Sequence, residues 1–181
     1  MIILAISGSL RAASSSSAII RAATLIAPPG VAVSIYDQLD ELPHFNPDLD
    51  REGDVPPPSV AELRRRVGEA DALLISTPEY AHGIPGTLKN ALDWLVSSSE
   101  FPGIPVALVN PSPHSFHAHE SLAEIVRTMS ADLPPDASVR IPVPRRSMTA
   151  EEIAADPVIS LALRDVLSAI AARSPRQRPF V

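Results

Sequence analysis

Hydrophobic and polar positions along the chain follow two alternating periods. Short apolar runs of four or five residues recur, and three are continuous, which is typical of strands covered on both faces. The five predicted strands are Ile2–Ile6, Val31–Ile35, Ala72–Ser76, Val106–Val109 and Ser138–Ile141. Segments with helical spacing lie between and after them, namely Ser16–Ala27, Val60–Ala70, Pro85–Val96, Ser121–Met129 and Ala150–Arg173. The last should break near Pro157, which lacks an amide donor. This alternation predicts an α/β fold with a mostly parallel sheet wound on both sides.

The length of the chain limits the number of domains. With 181 residues it can form one well-packed core but not two ordinary domains. We therefore expect a single domain over residues 1–173, followed by a Pro/Arg-rich tail at residues 174–181. Most of the 20 prolines fall between the predicted elements, as expected for loops. The segment Asp37–Pro58 is long for a connection, which predicts a structured loop near the functional site.

The charge balance argues against nucleic acid and membrane partners. The net charge is -6, and the basic clusters Arg64–Arg66 and Arg145–Arg146 are short enough to be solvated surface. The apolar start lacks the basic residues of a signal peptide, so Ile2–Ile6 is interpreted as a buried strand. No run approaches the roughly 20 apolar residues of a membrane helix. The absence of cysteine fits a cytoplasmic location and excludes thiolate nucleophiles and iron–sulfur clusters.

The first predicted strand is followed by a turn rich in hydroxyl groups, Ser7-Gly8-Ser9-Leu10-Arg11-Ala12-Ala13-Ser14-Ser15-Ser16. Gly8 allows a sharp exit from the strand. Serine hydroxyls, the free amides at a helix start and the Arg11 guanidinium are donors suited to a phosphate monoester. The turn matches neither G-x-x-x-x-G-K-[ST] nor G-x-G-x-x-G. On composition alone, a Ser-rich turn with a serine N-cap and a solvated arginine explains the segment equally well.

The third predicted strand ends in a second candidate turn, Thr77-Pro78-Glu79-Tyr80-Ala81-His82-Gly83-Ile84-Pro85. Pro85 suits the first turn of a helix, where its missing amide costs nothing. A stiff backbone beside the Tyr80 ring is a suitable wall for a flat heterocycle. Ligands of such sheets bind outside the carboxyl ends of the strands, so both turns are expected to face one crevice. The simpler alternative is a helix entry with Tyr80 half-buried.

Both turns resemble those of the NADPH-dependent FMN reductase family. The first matches the family pattern G-S-L-R-x-x-S-x-N at Gly8, Ser9, Leu10, Arg11 and Ser14. Ser16 stands where the pattern has asparagine. The second turn and the helix after it are similar to T-P-E-Y-N-x-S-x-P-G-x-L-K-N-A-[LI]-D-W, with Ala81 in place of asparagine and Gly83 in place of a common serine. The resemblance extends over most of the chain, to about Ala172.

The resemblance implies a flavodoxin-like three-layer fold, with a five-stranded parallel sheet in the order 2-1-3-4-5 and helices on both faces. It implies FMN bound non-covalently, with NADPH or NADH as the co-substrate in ping-pong kinetics. The implied acceptors are a flavin, a quinone, an azo compound or a metal oxyanion. The implied cofactor-binding residues are Ser9, Arg11, Ser14, Ser15, Ser16, Pro78, Glu79, Tyr80, Ala81, Ser112 and His114. No catalytic side chain is assigned, because the cofactor performs the chemistry.

The resemblance also implies a homodimer or a homotetramer. Its interface would include the helix after the second turn, around the apolar residues Leu88, Leu92, Trp94 and Leu95. An ordinary core-facing stripe would have the same pattern in the sequence.

The loop after the fourth predicted strand contains three histidines, His114, His117 and His119. The family usually has a Gly-rich loop over the flavin here, whereas this chain has Ser112-Pro113 without a following glycine. A metal would need two of these imidazoles to converge, and no Asp or Cys stands at a recognised metal spacing. We predict no metal site; a histidine near the flavin or the nicotinamide, and histidines that simply lie on the surface, both stay open.

Two other functions fit parts of the sequence. A non-enzymatic FMN electron carrier or redox sensor would share the fold, although carriers usually have clustered carboxylates and the charge here is modest and spread out. A serine hydrolase would use Ser9 as its best nucleophile candidate, but the chain has no G-x-S-x-G elbow.

Overall fold

A single parallel sheet organises the chain, for which a computed structural model describes residues 1–145 and 147–173. Its strands lie in the order β2-β1-β3-β4-β5. They are β1 (Ile2–Ser7), β2 (Ala32–Tyr36), β3 (Ala72–Ser76), β4 (Val106–Asn110) and β5 (Ser138–Arg140). The predicted flavodoxin-like strand order is confirmed. The predicted tail at 174–181 and Arg146 of the second basic cluster lie outside the described residues.

Helices cover both faces of this sheet, as predicted. They are α1 (Ser15–Ile26), α2 (Pro58–Glu69), α3 (Gly86–Asp93), α4 (His117–Thr128), α5 (Ala150–Ala155) and α6 (Pro157–Ala171). Side chains of α2, α3 and α4 pack on one face, and those of α1, α5 and α6 pack on the other. Central strands β3 and β4 are buried along their whole length, which explains their continuous apolar runs.

The last helical stretch breaks where the proline predicts. Helix α5 begins at a capping box in which the Thr149 and Glu152 side chains bond each other's backbone amides. Asp156 then ends α5 and caps α6, because its carboxylate accepts from the amides of Val158 and Ile159. Pro157 occupies the first position of α6, where a missing amide costs nothing.

The expected interface stripe on α3 is wrong. Leu88, Leu92, Trp94 and Leu95 are all at most 1% exposed and form part of the core between α3 and the sheet. These side chains cannot contact a second subunit, because they are already buried within the chain. The apolar spacing of α3 reflects packing on its own sheet.

The first basic cluster is less solvated than the sequence indicates. Arg65 is exposed and pairs with Glu62 and Glu69 on the same helix. Arg66, by contrast, donates to the Ile35 carbonyl at 3.0 Å. Arg64 pairs with Asp50 at 2.8 Å and donates to a main-chain carbonyl, so two of the three arginines tie α2 to other parts of the fold.

The long segment Asp37–Pro58 is structured, with short 3-10 turns at Leu39–Glu41 and Pro47–Leu49. Asn90 of α3 accepts from the Phe45 amide at 2.8 Å and donates to the Pro43 carbonyl at 2.9 Å. Trp94 donates its indole N–H to the same carbonyl at 2.8 Å. The segment is thereby held against α3, and none of its residues lines the cavity that Ser9, Pro78 and Ser112 share.

Candidate functional site

Gly8 brings the first two candidate turns into contact. Its amide donates to the Ser76 carbonyl at 2.8 Å, which ties the exit of β1 to the end of β3. A methyl group at Gly8 would lie 2.4 Å from Thr77 Oγ1 and 3.0 Å from Thr77 Cβ. A side chain would therefore push the two turns apart, so their close approach depends on glycine.

Hydroxyl groups and a guanidinium follow Gly8 in the first turn. The Ser7 and Ser17 hydroxyls hydrogen-bond at 2.9 Å, which fixes the start of α1 over the end of β1. Ser9 Oγ accepts from the Arg11 amide at 3.3 Å and holds the turn in shape. The Arg11 side chain is exposed and has no ion pair within the part of the chain that the structure describes. It is available to an anion.

The N-terminus of α1 faces the same region. Ser14 is the N-cap, and its hydroxyl accepts from the Ser17 amide at 3.4 Å. The amides of Ser15 and Ser16 have no intrahelical acceptor at this position, and the helix dipole adds partial positive charge. The segment is therefore both the predicted serine cap and the predicted anion-binding turn. The Ser14 hydroxyl caps one amide of the first helical turn, and the other amides stay free for an anion.

The second turn reverses the chain directly after Pro78 and Glu79. The amides and carbonyls of Tyr80 and Gly83 exchange two hydrogen bonds of 2.9 Å. Ala81 and His82 between them have φ of 49° and 60°, as in a type I′ turn. Tyr80 is half exposed, which leaves its ring available at the sheet edge.

The third turn is held by a buried amide that the sequence analysis did not single out. Asn110 is 3% exposed at the end of β4; its Oδ1 accepts from the Ser112 amide at 2.9 Å and its Nδ2 donates to the Ser115 carbonyl. Ser112 Oγ in turn accepts from the His114 amide at 3.2 Å. These local bonds define the loop without any glycine.

Glu79 connects the second and third turns. Its carboxylate accepts a 2.9 Å hydrogen bond from the Ala118 amide, in the first turn of α4. Phe116 at the N-cap position contributes no side-chain bond, so Glu79 supplies the cap from a distant part of the chain. The negative charge also complements the dipole of α4. The Glu79 side chain therefore has a structural role, and its backbone stays available to a ligand.

These turns and the exit of β5 enclose a cavity of about 390 Å³. Ten of the eleven predicted cofactor-binding residues line it, namely Ser9, Arg11, Ser14, Ser15, Ser16, Pro78, Glu79, Tyr80, Ser112 and His114. Ala81 does not line it, because it lies in the reversed part of the second turn. One group of lining residues offers hydroxyls, helix amides and a guanidinium, and another offers flat proline and tyrosine surfaces. This donor set fits a molecule with an anionic end and a planar end.

The fold and the cavity agree with a match between this chain and a known protein family. The model for NADPH-dependent FMN reductases matches residues 1–142. The chain belongs to the NADPH-dependent FMN reductase family. It is 40% identical to an NAD(P)H-dependent FMN reductase of Pseudomonas aeruginosa over 116 residues, which cover 63% of this chain and 61% of that protein. It is 36% identical to a quinone reductase of Escherichia coli K12 over 100 residues, 55% of this chain and 51% of that one. The match spans less than two thirds of each relative's length.

Solved structures with the same fold superpose on most of the chain. FerB, a flavoenzyme NAD(P)H:(acceptor) oxidoreductase from Paracoccus denitrificans, superposes with a TM-score of 0.74 at 26% identity, covering 93% of this chain and 94% of that one. A flavodoxin from the domain Archaea superposes with a TM-score of 0.63 at 15% identity, covering 94% and 99% of the two chains, and shows the fold alone. Across the described residues, no helix combines the length and apolar character needed to cross a membrane.

Six further residues of the cavity wall are not among the predicted cofactor-binding residues: Ala13, Pro111, Pro113, Ser115, Val143 and Pro144. Four of them flank residues that the resemblance to the family picked out, so a wider window around each motif would have included them. Val143 and Pro144 follow the weak strand β5 and match no motif. Only their place in the chain could have indicated them, since they follow the carboxyl end of β5, which pairs with β4.

The three histidines of the third turn do not converge. Helix α4 begins at His117, earlier than predicted, so His117 and His119 point in different directions two residues apart. His117 instead stacks on His82 of the second turn, with ring centroids 4.2 Å apart and a 32° tilt. His114 lines the cavity. Within residues 1–145 and 147–173, no group of three or more His, Asp or Glu side chains could hold a metal ion.

One serine–histidine contact bears on the hydrolase alternative. His119 Nε2 lies 3.0 Å from Ser138 Oγ, between α4 and β5 and outside the cavity. Burial lowers the pKa of His119, and the positive charge of Arg140 lowers it further, which favours the neutral imidazole. No carboxylate bonds the other ring nitrogen among the described residues, so the pair lacks the orienting group of a hydrolytic triad. Among the residues that the structure describes, the Ser9 hydroxyl has no histidine partner.

Proposed function

We propose that the protein binds FMN non-covalently in the 390 Å³ cavity and acts as an NAD(P)H-dependent oxidoreductase. The observation that carries the proposal is the meeting of a phosphate-type donor set and flat apolar walls in one cavity, in a chain that belongs to the NADPH-dependent FMN reductase family. The unit concerned is the single domain over residues 1–173. When bound, FMN would accept hydride from a nicotinamide and pass the electrons to a small acceptor.

Residues of the chain would hold and orient the cofactor. The amides of Ser15 and Ser16, the hydroxyls of Ser9 and Ser14 and the Arg11 guanidinium suit its phosphate. Pro78 and Tyr80 suit one side of its planar ring, and the backbone of the second turn offers donors to the ring's polar edge. Ser112 and His114 would form the opposite wall. No step requires a protein nucleophile.

The acceptor is proposed from the relatives. A quinone reductase and an FMN reductase are among them, and azoreductases are among the structural neighbours. We therefore include a quinone, a flavin or an azo compound in the acceptor class, and the resemblance to the family adds a metal oxyanion. The exposed Tyr80 ring lines the cavity, and the His82–His117 stack begins in the same turn, so both offer flat surfaces to an aromatic acceptor.

FMN titration followed by nicotinamide oxidation tests the proposal. Protein freed of ligand should take up FMN with a defined stoichiometry, and the loaded protein should oxidise NADPH or NADH when an acceptor is added. Riboflavin serves as the matched ligand, because it lacks the phosphate. Arg11→Gln should weaken FMN binding about tenfold or more and leave riboflavin binding unchanged, since it removes a charge-assisted bond.

Three results would contradict parts of this function. Failure to bind FMN at large excess refutes the cofactor. FMN binding without oxidation of either nicotinamide, across all acceptor classes, favours the electron carrier or redox sensor instead. Colourless protein that reacts with a serine-directed probe favours the hydrolase.

We also propose a cytoplasmic homodimer or homotetramer. The resemblance to the family supports this assembly, and the surface rather than the buried stripe of α3 must form any contact. Light scattering coupled to gel filtration measures the mass directly, and a monomer at micromolar concentration would refute the assembly.

A further inference from the structure

A second cleft of about 200 Å³ lies beside the main cavity. The two share Ser9 and Arg11, so the cleft begins on the far side of the first turn. Its other walls come from α1 and from the residues after β2. The cleft is too small for a whole dinucleotide and large enough for one phosphorylated ribose.

Four charged side chains line this cleft: Arg11, Arg21, Asp37 and Asp40. All four are exposed at the surface of the chain. Although arginines and carboxylates share the cleft, none of them forms an ion pair in the part of the chain that the structure describes. Guanidinium groups left free in this way can bind a phosphate in a bidentate manner, and the carboxylates can accept hydrogen bonds from ribose hydroxyls.

Tyr36 forms part of the floor of the cleft. It is 2% exposed, and its ring packs in the core on the α2 side of the sheet. Burial raises the pKa of Tyr36 to about 12, so the phenol stays neutral and recognition is left to the charged side chains of the cleft.

The order of strands places the cleft in line with the main cavity. In the order β2-β1-β3-β4, the ring-binding turn follows β3, the phosphate-binding turn follows β1, and the cleft lies between β1 and β2. Neighbouring strands are about 4.8 Å apart, so the cleft, one and a half strand spacings from β3, lies about 7 Å from the ring-binding turn along the sheet edge. A dinucleotide with its nicotinamide over the flavin ring is long enough to cross this distance.

We propose that this cleft binds the 2′-phosphoadenosine end of NADPH, with Arg21 as the residue that selects NADPH over NADH. The inference rests on the proposed function. Arg21 is the better candidate for selection because Arg11 also lines the FMN cavity. Arg21 lies two turns into α1, and a long helical side chain leans back towards the N-terminus of its helix, which is the phosphate end here.

Titration with adenosine 2′,5′-bisphosphate tests the cleft directly, with and without FMN. Calorimetry should show binding of this ligand and at least tenfold weaker binding of adenosine 5′-monophosphate, which lacks the 2′-phosphate. Arg21→Gln should weaken the bisphosphate at least tenfold and leave FMN affinity unchanged. Arg164→Gln removes an exposed charge from α6, outside both cavities, and should change neither.

Steady-state kinetics of the FMN-loaded protein provides the second measurement. The wild type should prefer NADPH over NADH in kcat/KM by at least tenfold, and Arg21→Gln should bring this ratio close to one by raising KM for NADPH alone. Equal binding of the two adenosine nucleotides, or an unchanged preference in Arg21→Gln, overturns the inference while FMN uptake still supports the proposed function. If FMN does not bind, the proposed function fails, and the titration without FMN still decides whether the cleft binds the bisphosphate.

Discussion

Ala81 has a backbone conformation that its side chain does not favour. Its φ of 49° lies in the left-handed region, where a Cβ costs about 1 kcal/mol or more. The family pattern has asparagine at this position, a residue that tolerates this region better. We expect Ala81→Gly to raise the free energy of unfolding by about 1 kcal/mol, because glycine has no Cβ to strain. Urea denaturation measures the change.

The control for Ala81 is an alanine in an ordinary helix. Ala61 is exposed in α2, where glycine should instead lower stability by about 1 kcal/mol. Opposite signs for the two substitutions are the expected result. The idea of strain at Ala81 would have to be abandoned if both substitutions destabilised the protein equally.

Single residues of the cavity were predictable where chemistry and position agree. Ser9, Arg11 and Ser14–Ser16 carry donors directly after an apolar strand, which marks them in the sequence. Ala81 does not line the cavity, because the chain reverses at that residue, and its contact with the cofactor stays a prediction. Asn110 was missed because an amide that fixes a loop looks like any polar residue at a strand end.

Helix α4 depends on a contact that joins two turns. The Glu79 carboxylate caps its Ala118 amide, and no side chain at the N-cap position does so. Glu79→Ala should cost about 1 kcal/mol, as loss of an N-cap does. Glu79→Gln keeps an acceptor oxygen and loses only the charge, so its cost should be a fraction of that, about 0.5 kcal/mol.

Hydrogen exchange at the first turn of α4 measures this contact locally. Exchange should be fastest in Glu79→Ala, intermediate in Glu79→Gln and slowest in the wild type, while α6 on the opposite face stays unchanged. Exchange in Glu79→Ala equal to that of the wild type would mean that Glu79 does not cap the helix.

This contact also explains why the start of α4 was predicted too late. The sequence around His117 has no Ser, Thr, Asp or Asn at the N-cap, so local signals favour a start at Ser121. The real cap comes from a residue 39 positions earlier in the chain. In contrast, α5 and α6 carry their own caps at Thr149 and Asp156, and the break between them was predicted correctly.

The stability of the molecule as a whole depends on how the segment Asp37–Pro58 is held. Arg64 joins it to α2 and to the end of α3 through Asp50, the Trp94 carbonyl and Ser97. The side chains of Arg64 and Asp50 are only 17% and 8% exposed. Arg64→Ala leaves the Asp50 carboxylate poorly solvated and should lower the free energy of unfolding by about 3 kcal/mol.

The adjacent arginine offers a control of the same type. Arg65 is half exposed and pairs on the surface of α2, so Arg65→Ala should change little. Urea denaturation gives the stabilities, and thermolysin cleavage near Phe45 and Leu49 should accelerate in Arg64→Ala alone. Equal effects of the two substitutions would show that the contact with Asp50 is not what holds the segment.

The parallel sheet with a core on each face follows from the alternation of apolar runs, which reports burial on both faces, whereas the strand order was implied by the resemblance to the family. The period of an apolar stripe does not tell whether it packs on its own sheet or on another subunit, so the sequence could not test the α3 interface that the resemblance to the family implied. The apolar pattern also does not predict how the segment Asp37–Pro58 is attached, because the attachment depends on pairs of residues that are separated in sequence, such as Arg64 and Asp50.

Trp94 gives this protein a built-in optical reporter. It is the chain's single tryptophan, fully buried, with its indole N–H on the Pro43 carbonyl and its ring 5.0 Å from that of Phe45, edge to face. Release of the segment from α3 would expose the indole to water and shift its emission to longer wavelength. Fluorescence of the unlabelled protein can therefore follow detachment of one loop separately from unfolding of the sheet.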